Sequence, residues 1–463
     1  MKAVSEVPED SFHKRKSMIL KSIQELHNIF LRCSGVVTDS REIKGGELFF
    51  ALKGERFDGN SFAMGALEKG AAYAVVSDRS LNDARCIAVD DTLAALQDLA
   101  RYHRASLSVS DGRTGTLPVL ALTGTNGKTT TKELIRAVLS SRYEVLATEG
   151  NLNNHIGVPL TLLRLSSRHD MAVIEMGASA PGEIASLARI ALPNYGLVTN
   201  VGKAHLAGFG SFEGVKRTKG ELYDYLQRTA DKAFVNMDNP DLCGMASLRP
   251  DLSIIPYGLE YSGASVLEAD ASSPCLSVRL SGGRVVHTHL IGAYNADNVM
   301  AAVAVGEYFG VPEDEAAAAI EAYVPSNRRS QLEKRGSNVY ILDTYNANPT
   351  SMSAALDNLV SMKAEKKAVM LGDMLELGVD SLREHEAIVS KVASFAPECA
   401  YFVGKEFASA LAAGGAAVLD GAGVRHAAFA DSSELSSYLE SHPLSDTLIL
   451  VKGSRGTKME KIL

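Results

Sequence analysis

The 463-residue sequence lacks several features that mark large classes of protein. No apolar run reaches the roughly 18 residues of a transmembrane helix, and the first 16 residues lack the apolar core of a signal peptide. Basic side chains are not in excess, because 47 Lys and Arg face 55 Asp and Glu and give a formal net charge of −8. A general nucleic-acid binder would normally show a basic surface. We therefore expect a soluble, cytoplasmic protein with no membrane insertion and no nucleic-acid partner.

Cysteines are few and scattered along the chain. The five of them share no metal-ligand spacing: Cys33, Cys86, Cys243, Cys275 and Cys399. Reduced and mostly buried thiols, as in an ordinary cytoplasmic protein, are the simplest interpretation. Internal repeats and low-complexity segments are also absent from the sequence, which disfavours a solenoid or a disordered chain.

Length and composition favour a globular enzyme with more than one domain. Hydrophobic residues make up 46% and charged residues 22%, and a chain this long normally divides into about three units. A stretch rich in Ser, Gly and Asp at 108–116 predicts a linker, and a further block begins near Pro325. We predict domains at 1–112, 113–324 and 325–463.

Short apolar runs alternate with helical patterns and predict the fold class. The strand candidates are 48–52, 71–76, 118–123, 171–176, 195–201, 339–343, 368–373, 400–404 and 447–453. Helices are predicted between them, for example over 91–104, 294–309 and 380–395, and a weaker β-rich stretch covers 251–291. Such alternation favours mainly parallel, covered sheets. The prediction is an α/β protein whose third block is doubly wound.

The strongest chemical signal is the sequence LTGTNGKTT at 122–130. A strand runs into a glycine turn and a helix begins at Lys128, an arrangement that points backbone N–H groups at a phosphate. The Lys128 amine can reach the β- and γ-phosphates, and the Thr129 hydroxyl can hold magnesium. Leu122 stands where the general pattern has its first glycine. The ATP-binding candidates here are Thr123, Gly124, Thr125, Asn126, Gly127, Lys128, Thr129 and Thr130.

A phosphate loop alone does not choose among kinases, motors and regulatory switches, but its compact form does narrow the choice. The sequence TGTNGKTTT at 123–131 resembles the central domain of the Mur ligase family, in which the leading glycine is usually absent. Family-like segments follow in order from about residue 36 to the carboxyl end. The resemblance implies an amino-terminal α/β domain for the precursor, a central P-loop domain and a carboxy-terminal Rossmann-like domain. It also implies ATP and Mg²⁺ as cofactors.

The resemblance assigns catalytic and metal-side residues. Glu175 ends a strand in VIEMGAS, where a carboxylate can hold magnesium beside the phosphates. The resemblance implies that His205, in TNVGKAHLAGFGS, is a further magnesium ligand and that Lys219 is carbamylated. Without it, these would be a solvent-facing glutamate, a lone histidine and a solvated lysine. Lys128, Lys219, His205 and Glu175 are the catalytic candidates, and Thr129 joins the last three as a metal ligand.

Two further segments resemble the nucleotide pocket of the family. Asn295 and Asn298, in GAYNADNVMAA, match a stretch that holds the base, although Tyr294 stands where histidine is common. Ordinary helix packing is the alternative for both. The segment 325–352 resembles the start of the third domain, with Asn327 in place of a glycine. Its nucleotide-side candidates are Arg328 for the phosphates, Asp343 for the ribose, and Tyr345 and Asn346 for the pocket wall.

The remaining resemblance concerns the substrates. Segments 147–163 and 343–352 are most similar to the branch of the family that joins D-alanyl-D-alanine to UDP-N-acetylmuramoyl-tripeptide. Residues 38–62 resemble the domain that binds the UDP part, with Asn60 where histidine is frequent. The substrate-side candidates are Ser40, Arg41, Phe49, Asn151, Asn153 and Asn154.

The implied reaction forms an acyl phosphate from ATP and the tripeptide carboxylate, and the dipeptide amine then displaces phosphate. Three alternatives remain: another ligase of the superfamily, either tripeptide-forming or a folylpolyglutamate synthase; a P-loop switch or transport ATPase; and a non-catalytic binding protein. The NANP stretch and the first block argue against the other ligases. The sequence leaves open whether the third residue of the tripeptide is diaminopimelate or lysine. We expect a monomer.

Overall fold

A computed structural model describes residues 18–20, 22–55, 57–107, 116–268, 275–325 and 331–462. These residues form four β-sheets, and helices cover the three larger ones. None of the helices in these ranges is both long and apolar enough to span a membrane. The strands and helices are numbered below in chain order.

The first block forms a five-stranded parallel sheet with the strand order β1-β5-β4-β3-β2. Its strands are β1 (Met18–Ile19), β2 (Val36–Val37), β3 (Leu48–Phe50), β4 (Tyr73–Val76) and β5 (Cys86–Ala88). Its helices are α1 (Ile23–Phe30), α2 (Ala63–Glu68) and α3 (Thr92–Ser106). The predicted strands at 48–52 and 71–76 and the predicted helix at 91–104 are confirmed as β3, β4 and α3.

The central block forms a six-stranded parallel sheet with the order β11-β10-β9-β6-β8-β7, followed by a small antiparallel sheet, β12-β13-β14. The strands are β6 (Val119–Thr123), β7 (Val145–Ala147), β8 (Met171–Glu175), β9 (Tyr195–Val198), β10 (Lys232–Asn236), β11 (Ser253–Tyr257), β12 (Ser265–Leu267), β13 (Ser277–Arg279) and β14 (Val285–His287). The helices are α4 (Lys128–Leu139), α5 (Gly157–Leu162), α6 (Glu183–Ala191), α7 (Leu206–Phe209), α8 (Phe212–Thr229), α9 (Pro240–Ser247), α10 (Ala296–Tyr308) and α11 (Glu313–Ala322).

The third block forms a six-stranded mixed sheet with the order β15-β16-β20-β17-β18-β19, in which β15 alone is antiparallel to its neighbour. The strands are β15 (Gln331–Arg335), β16 (Asn338–Asp343), β17 (Lys366–Gly372), β18 (Cys399–Val403), β19 (Arg425–Phe429) and β20 (Thr447–Lys452). The helices are α12 (Pro349–Ser361), α13 (Ser381–Phe395), α14 (Lys405–Ala410), α15 (Ala416–Gly421) and α16 (Ser432–Ser441). Sequence analysis missed the edge strands β15 and β19, because their polar and alanine-rich residues carry little apolar signal.

The position of the phosphate loop follows from the order of the central sheet. Strand β6 pairs with β8 on one side and with β9 on the other, and β6 and β8 are buried along their whole length. Such continuous apolar runs are typical of parallel strands covered on both faces. The carboxyl ends of parallel strands meet at one sheet edge. The loops after these three strands therefore converge there.

The chain packs into two compact units. The first contains the described residues up to Thr116 together with 149–167 and 190–192, and the second contains the other described residues. Within the first unit, α3 packs on α5, and Gln97 Nε2 donates to the carbonyl of His155 at 3.0 Å. Residues 149–167 of the central block thus pack with the first block. The boundaries proposed near 112 and 324 stay predictions, since 108–115 and 326–330 lie outside the described residues.

The start of α3 offers a test of this packing. Asp91 Oδ1 accepts hydrogen bonds from the N–H groups of Leu93 at 2.8 Å and Ala94 at 3.0 Å. Asp91→Ala leaves both donors unpaired and should lower the free energy of unfolding of the first unit by about 1 kcal/mol in urea denaturation followed by circular dichroism. Asp90→Ala is the control, because Asp90 only pairs with exposed Arg79. Equal effects of the two changes would contradict the capping role.

Candidate active site

The phosphate loop follows β6 and depends on two glycines in the left-handed region. Gly124 has a φ of 144° and Gly127 a φ of 80°. A Cβ atom at Gly124 would lie 2.0 Å from Thr199 Oγ1, and one at Gly127 would lie 2.6 Å from Asn298 Oδ1. Both positions therefore exclude any side chain, by backbone conformation and by space.

The loop after β9 holds the phosphate loop by hydrogen bonds. The N–H groups of Thr125 and Asn126 donate to the carbonyl and the side-chain oxygen of Asn200, each at 3.0 Å. Thr199 Oγ1 donates to the carbonyl of Asn126 at 2.6 Å. Sequence analysis did not single out Thr199 or Asn200. Their place just after a strand neighbouring β6 was the signal that could have found them.

Thr129 and Glu175 meet at the carboxyl edge of the sheet. Thr129 Oγ1 donates to Glu175 Oε2 at 3.0 Å, and the Glu175 N–H donates to Thr148 Oγ1 at 2.9 Å. Nearby, Lys128 Nζ donates to the loop carbonyls of Gly124 at 2.8 Å and Thr125 at 3.0 Å. The helix terminus, the amine and two buried side-chain oxygens thus lie together, and their phosphate and metal roles stay predictions.

The oxygen pair of Thr129 and Glu175 fits magnesium. Mg²⁺ prefers oxygen ligands and usually keeps several waters, with one or two carboxylates and substrate phosphates completing its shell. Among the described residues, no group of three or more His, Cys, Asp or Glu side chains is placed to enclose a metal. The protein therefore offers a partial, open set of ligands of the kind that a nucleotide-bound magnesium needs.

Lys219 lies on α8 with its side chain buried and only 2% of its surface exposed. No described carboxylate forms a salt bridge with it, and Nζ lies 5.4 Å from the centre of the Phe209 ring. Burial lowers the pKa of Lys219 to about 7, and the charge of Lys128 acts in the same direction. Lys216, one turn earlier, is different, because it pairs with Asp241 at 2.7 Å. Burial therefore favours the uncharged, nucleophilic form of the Lys219 amine.

His205 precedes the short helix α7 and has a left-handed backbone with a φ of 50°. Its Nδ1 contacts the carboxylate of Glu376, which follows β17 in the third block. Burial lowers the pKa of His205 below its usual value, Glu376 opposes this, and Lys128 adds to it. The imidazole is thus favoured in its neutral form, the form in which histidine binds metals. Its predicted role as a magnesium ligand stays a prediction.

Asn295 and Asn298 are buried behind the phosphate loop. Asn298 Oδ1 accepts from Thr131 Oγ1 at 2.9 Å, and Asn298 Nδ2 donates to Asn295 Oδ1 at 2.8 Å. Asn295 Nδ2 in turn donates to the carbonyl of Ile291 at 2.8 Å. The two amides therefore support the loop near Gly127, and their contact with the base stays a prediction.

The nucleotide-side candidates of the third block lie after β16. Asp343 contacts Lys452 Nζ, which also donates to the carbonyl of Asn346 at 3.0 Å. Lys452 ends the neighbouring strand β20, and sequence analysis did not single it out. The ring of Tyr345 lies 5.9 Å from the Arg455 guanidinium. Arg328 lies outside the described residues, so its predicted phosphate contact stays a prediction.

A cleft of about 170 Å³ separates parts of the central and third blocks. His205 lines it from the central block, and Asn346, Asn348, Glu376 and Arg455 line it from the third. Beside it, Lys203 Nζ pairs with Glu384 Oε1 at 2.7 Å. Of the predicted residues, His205 on the metal side and Asn346 on the nucleotide side therefore line one cleft.

The substrate-side candidates of the first block have mixed outcomes. The Arg41 side chain is 86% exposed, and its guanidinium pairs with Asp39 at 2.6 Å and lowers the pKa of that carboxyl to about 2. The Ser40 carbonyl accepts from Lys69 Nζ at 3.2 Å. Phe49 is 1% exposed and packs in the core with Leu67. The ring of Phe49 is covered on β3, and its predicted substrate contact stays a prediction.

The asparagines of the 149–167 excursion also differ in their surroundings. Asn151 is exposed and Asn153 is half-buried. Asn154 Oδ1 accepts from the N–H groups of Ile156 at 3.1 Å and Gly157 at 2.9 Å, so it holds the turn that leads into α5. Asn154 has a local structural role, whereas substrate contacts of all three stay predictions.

Comparisons with known proteins show which sequences this chain resembles. Three family descriptions match the chain in order: "Mur ligase family, catalytic domain" at 32–104, "Mur ligase middle domain" at 122–306 and "Mur ligase, glutamate ligase domain" at 328–455. The UDP-N-acetylmuramoyl-tripeptide–D-alanyl-D-alanine ligase of Bacillus subtilis is 36% identical over 437 residues, covering 93% of this chain and 92% of that protein. The Escherichia coli enzyme of the same name is 34% identical, with 95% of each chain covered.

Solved structures with a similar fold carry related sequences. A crystal structure of MurF from Acinetobacter baumannii has a TM-score of 0.82 and 31% identity, over 95% of this chain and 97% of that chain. MurF from Thermotoga maritima in complex with ADP has a TM-score of 0.79 and 25% identity, over 93% and 96%. The three-domain α/β architecture predicted from the sequence is confirmed. With its relatives collinear over more than nine-tenths of its length, this chain belongs to the Mur ligase family.

Proposed function

We propose that this chain is an ATP-dependent ligase that joins D-alanyl-D-alanine to the terminal carboxylate of UDP-N-acetylmuramoyl-tripeptide. The observation that carries the proposal is the phosphate loop with Thr129 and Glu175 in contact at its base. This site lies in a chain whose relatives of that name cover more than nine-tenths of it. A switch or transport ATPase would not need the collinear first and third domains.

In the first step, a carboxylate oxygen of the tripeptide attacks the γ-phosphorus of ATP. The bond from that phosphorus to the bridging oxygen breaks, and ADP leaves with its electron pair. A carboxylate is a poor electrophile, and phosphorylation turns one of its oxygens into a good leaving group. The helix terminus of α4 and Lys128 stabilise the charge that builds up on the phosphoryl oxygens.

In the second step, the neutral amine of D-alanyl-D-alanine attacks the acyl carbon. The tetrahedral intermediate then breaks its bond to the phosphate oxygen, inorganic phosphate leaves, and the amine loses a proton. The protein contributes mainly by holding the reactants in position and excluding water, which would hydrolyse the acyl phosphate. The cleft beside His205, Asn346 and Arg455 is our candidate for the place of this step.

Magnesium and the precursor extend the proposal. Thr129 and Glu175 would hold the ion, with His205 and carbamylated Lys219 as further ligands, and bound magnesium would neutralise phosphate charge. Ser40, Arg41, Asn151, Asn153 and Asn154 remain the candidates for precursor binding. Exposed Arg41 suits an anionic group, because its guanidinium can exchange Asp39 for a phosphate oxygen. The monomeric state and the cytoplasmic location stay predictions.

The phosphate role of Lys128 is tested by Lys128→Ala. Loss of this amine should lower kcat by about 10²-fold or more, because a positioned charge on the transferring phosphoryl group is removed. Ligation is measured as phosphate release with UDP-tripeptide, with and without D-alanyl-D-alanine. Arg136→Ala is the control on the same helix, since Arg136 is exposed and pairs only with Glu133. A folded Lys128→Ala protein with normal kcat would rule out the phosphate role.

Carbamylation of Lys219 is tested with ¹³C-labelled bicarbonate. The neutral amine is the form that adds CO₂, so a carbamate signal in ¹³C NMR should be present above pH 7 and fall as the pH drops through about 7. The signal should disappear in Lys219→Met. It should persist in Lys216→Met, because the Lys216 amine is paired with Asp241 and is not the predicted carbamate. A signal that survives Lys219→Met would assign the carbamate elsewhere.

Burial of the Lys219 amine also predicts a pH-dependent stability. The folded pKa, about 7, lies below the usual value of 10.5, so between these values the unfolded chain binds more protons. In CO₂-depleted buffer the wild type should therefore gain stability from pH 7 to 9, by about 1 kcal/mol per pH unit, relative to Lys219→Met. Urea denaturation at several pH values measures this difference. Parallel pH profiles for the two proteins would show that the amine is solvated.

A further inference from the structure

Asn348 stands at the start of α12 and caps this helix through one half of its amide. Its Oδ1 accepts a hydrogen bond from the Ser351 N–H at 2.9 Å, and its own N–H donates to Ser351 Oγ at 3.1 Å. Pro349 follows at the first helical position, where a missing N–H has no effect. The oxygen of the Asn348 amide is thus used within the third domain.

The nitrogen of the same amide reaches the phosphate loop. Asn348 Nδ2 donates to Asn126 Oδ1 at 2.8 Å, with a longer reciprocal contact of 3.5 Å from Asn126 Nδ2 to Asn348 Oδ1. Asn348 is buried. Thr199 and Asn200 already hold the backbone of Asn126. The Asn348 amide holds its side chain. A single buried amide therefore joins the α12 cap to the loop.

A second connection runs beside the first. The Lys203 N–H donates to Thr350 Oγ1 at 3.0 Å, and the preceding Gly202 N–H donates to Thr125 Oγ1 at 2.9 Å. A Cβ atom at Gly202 would lie 2.8 Å from Thr350 Oγ1. The 202–203 segment is thus held between the phosphate loop and the first turn of α12. This close fit keeps the Asn348 amide within reach of Asn126.

We propose that Asn348 is a positioning residue for the phosphate loop, which it fixes from the third domain through Asn126. The inference rests on the proposed nucleotide site. It adds that docking of the third domain further stabilises the loop in this conformation. Loss of one buried hydrogen bond corresponds to roughly a fivefold change in an equilibrium constant. Nucleotide affinity should change by about that factor.

The test separates the two halves of the amide. Asn348→Ser and Asn348→Asp both keep a side-chain oxygen that can cap α12, and both lose the amide N–H group that donates to Asn126. Serine is neutral, so it also separates the lost bond from charge repulsion by aspartate. Asn239→Ser is the matched control, because Asn239 caps α9 before Pro240 and accepts from the Asp241 and Leu242 N–H groups, each at 3.1 Å.

Two measurements on the full chain decide the outcome. Isothermal titration with Mg·ADP should show about fivefold weaker binding for Asn348→Ser and Asn348→Asp, and unchanged binding for Asn239→Ser. Hydrogen exchange of the unliganded protein should be faster in peptides covering 122–130 for the Asn348 variants alone. Normal binding and exchange in Asn348→Ser would overturn the proposal, including the case in which only the aspartate variant is weakened.

A double-mutant cycle and a kinetic readout complete the test. Adding Asn126→Ala to Asn348→Ser should weaken ADP binding no further than Asn126→Ala alone, whereas additive effects would overturn the pairing. In ligation, the KM for ATP should rise about fivefold while the KM for D-alanyl-D-alanine stays constant. Absence of ligation by the wild type would contradict the proposed function, yet ADP binding and hydrogen exchange would still test Asn348.

Discussion

The arrangement of the site depends on the place of β6 between β8 and β9 in the central parallel sheet. Because parallel strands end at one edge, this order brings the phosphate loop, Glu175 and Asn200 to the same point. The two left-handed glycines then let the loop backbone approach Thr199 and Asn298 more closely than any side chain allows. A change in strand order would separate the helix terminus from its carboxylate, whatever the loop sequence.

Sequence reasoning predicted what is local in the chain or fixed by strand ends. The phosphate loop, Glu175 and the apolar strands could be predicted, because a hydrophobic run marks each strand and these residues follow strand ends. The bridge from Asn126 to Asn348 joins residues 222 positions apart, and the contact of Asp343 with Lys452 depends on β16 lying beside β20. Contacts between residues so far apart in the chain leave no local pattern in the sequence. The burial of Phe49 was missed for a related reason, since an aromatic residue near a binding motif does not reveal which face it occupies.

Lys219 shows a signal that was present in the sequence but not used. Helix α8 is rich in charged residues, so its lysines resemble a solvated face when they are counted together. Yet Lys219 lies four residues after Val215 and three before Leu222, both of which are buried, whereas Lys216 is partly exposed and pairs with Asp241. Helical periodicity thus predicts that Lys219 faces the buried side of α8. Burial lowers the pKa of that amine to about 7, as the predicted carbamylation requires.

The cleft also contains strained backbone on both sides. His205 and Glu376 are non-glycine residues with left-handed φ values of 50° and 65°, a conformation that costs about 1 kcal/mol or more. They come from different domains and contact each other, and the Glu376 carbonyl accepts from the Ala207 N–H at 3.3 Å. Three successive N–H groups before Glu376 are held in turn by Val403, His385 and Ser454. The third domain thus holds the three residues before Glu376, and this keeps the Glu376 carboxylate in place beside the imidazole of His205.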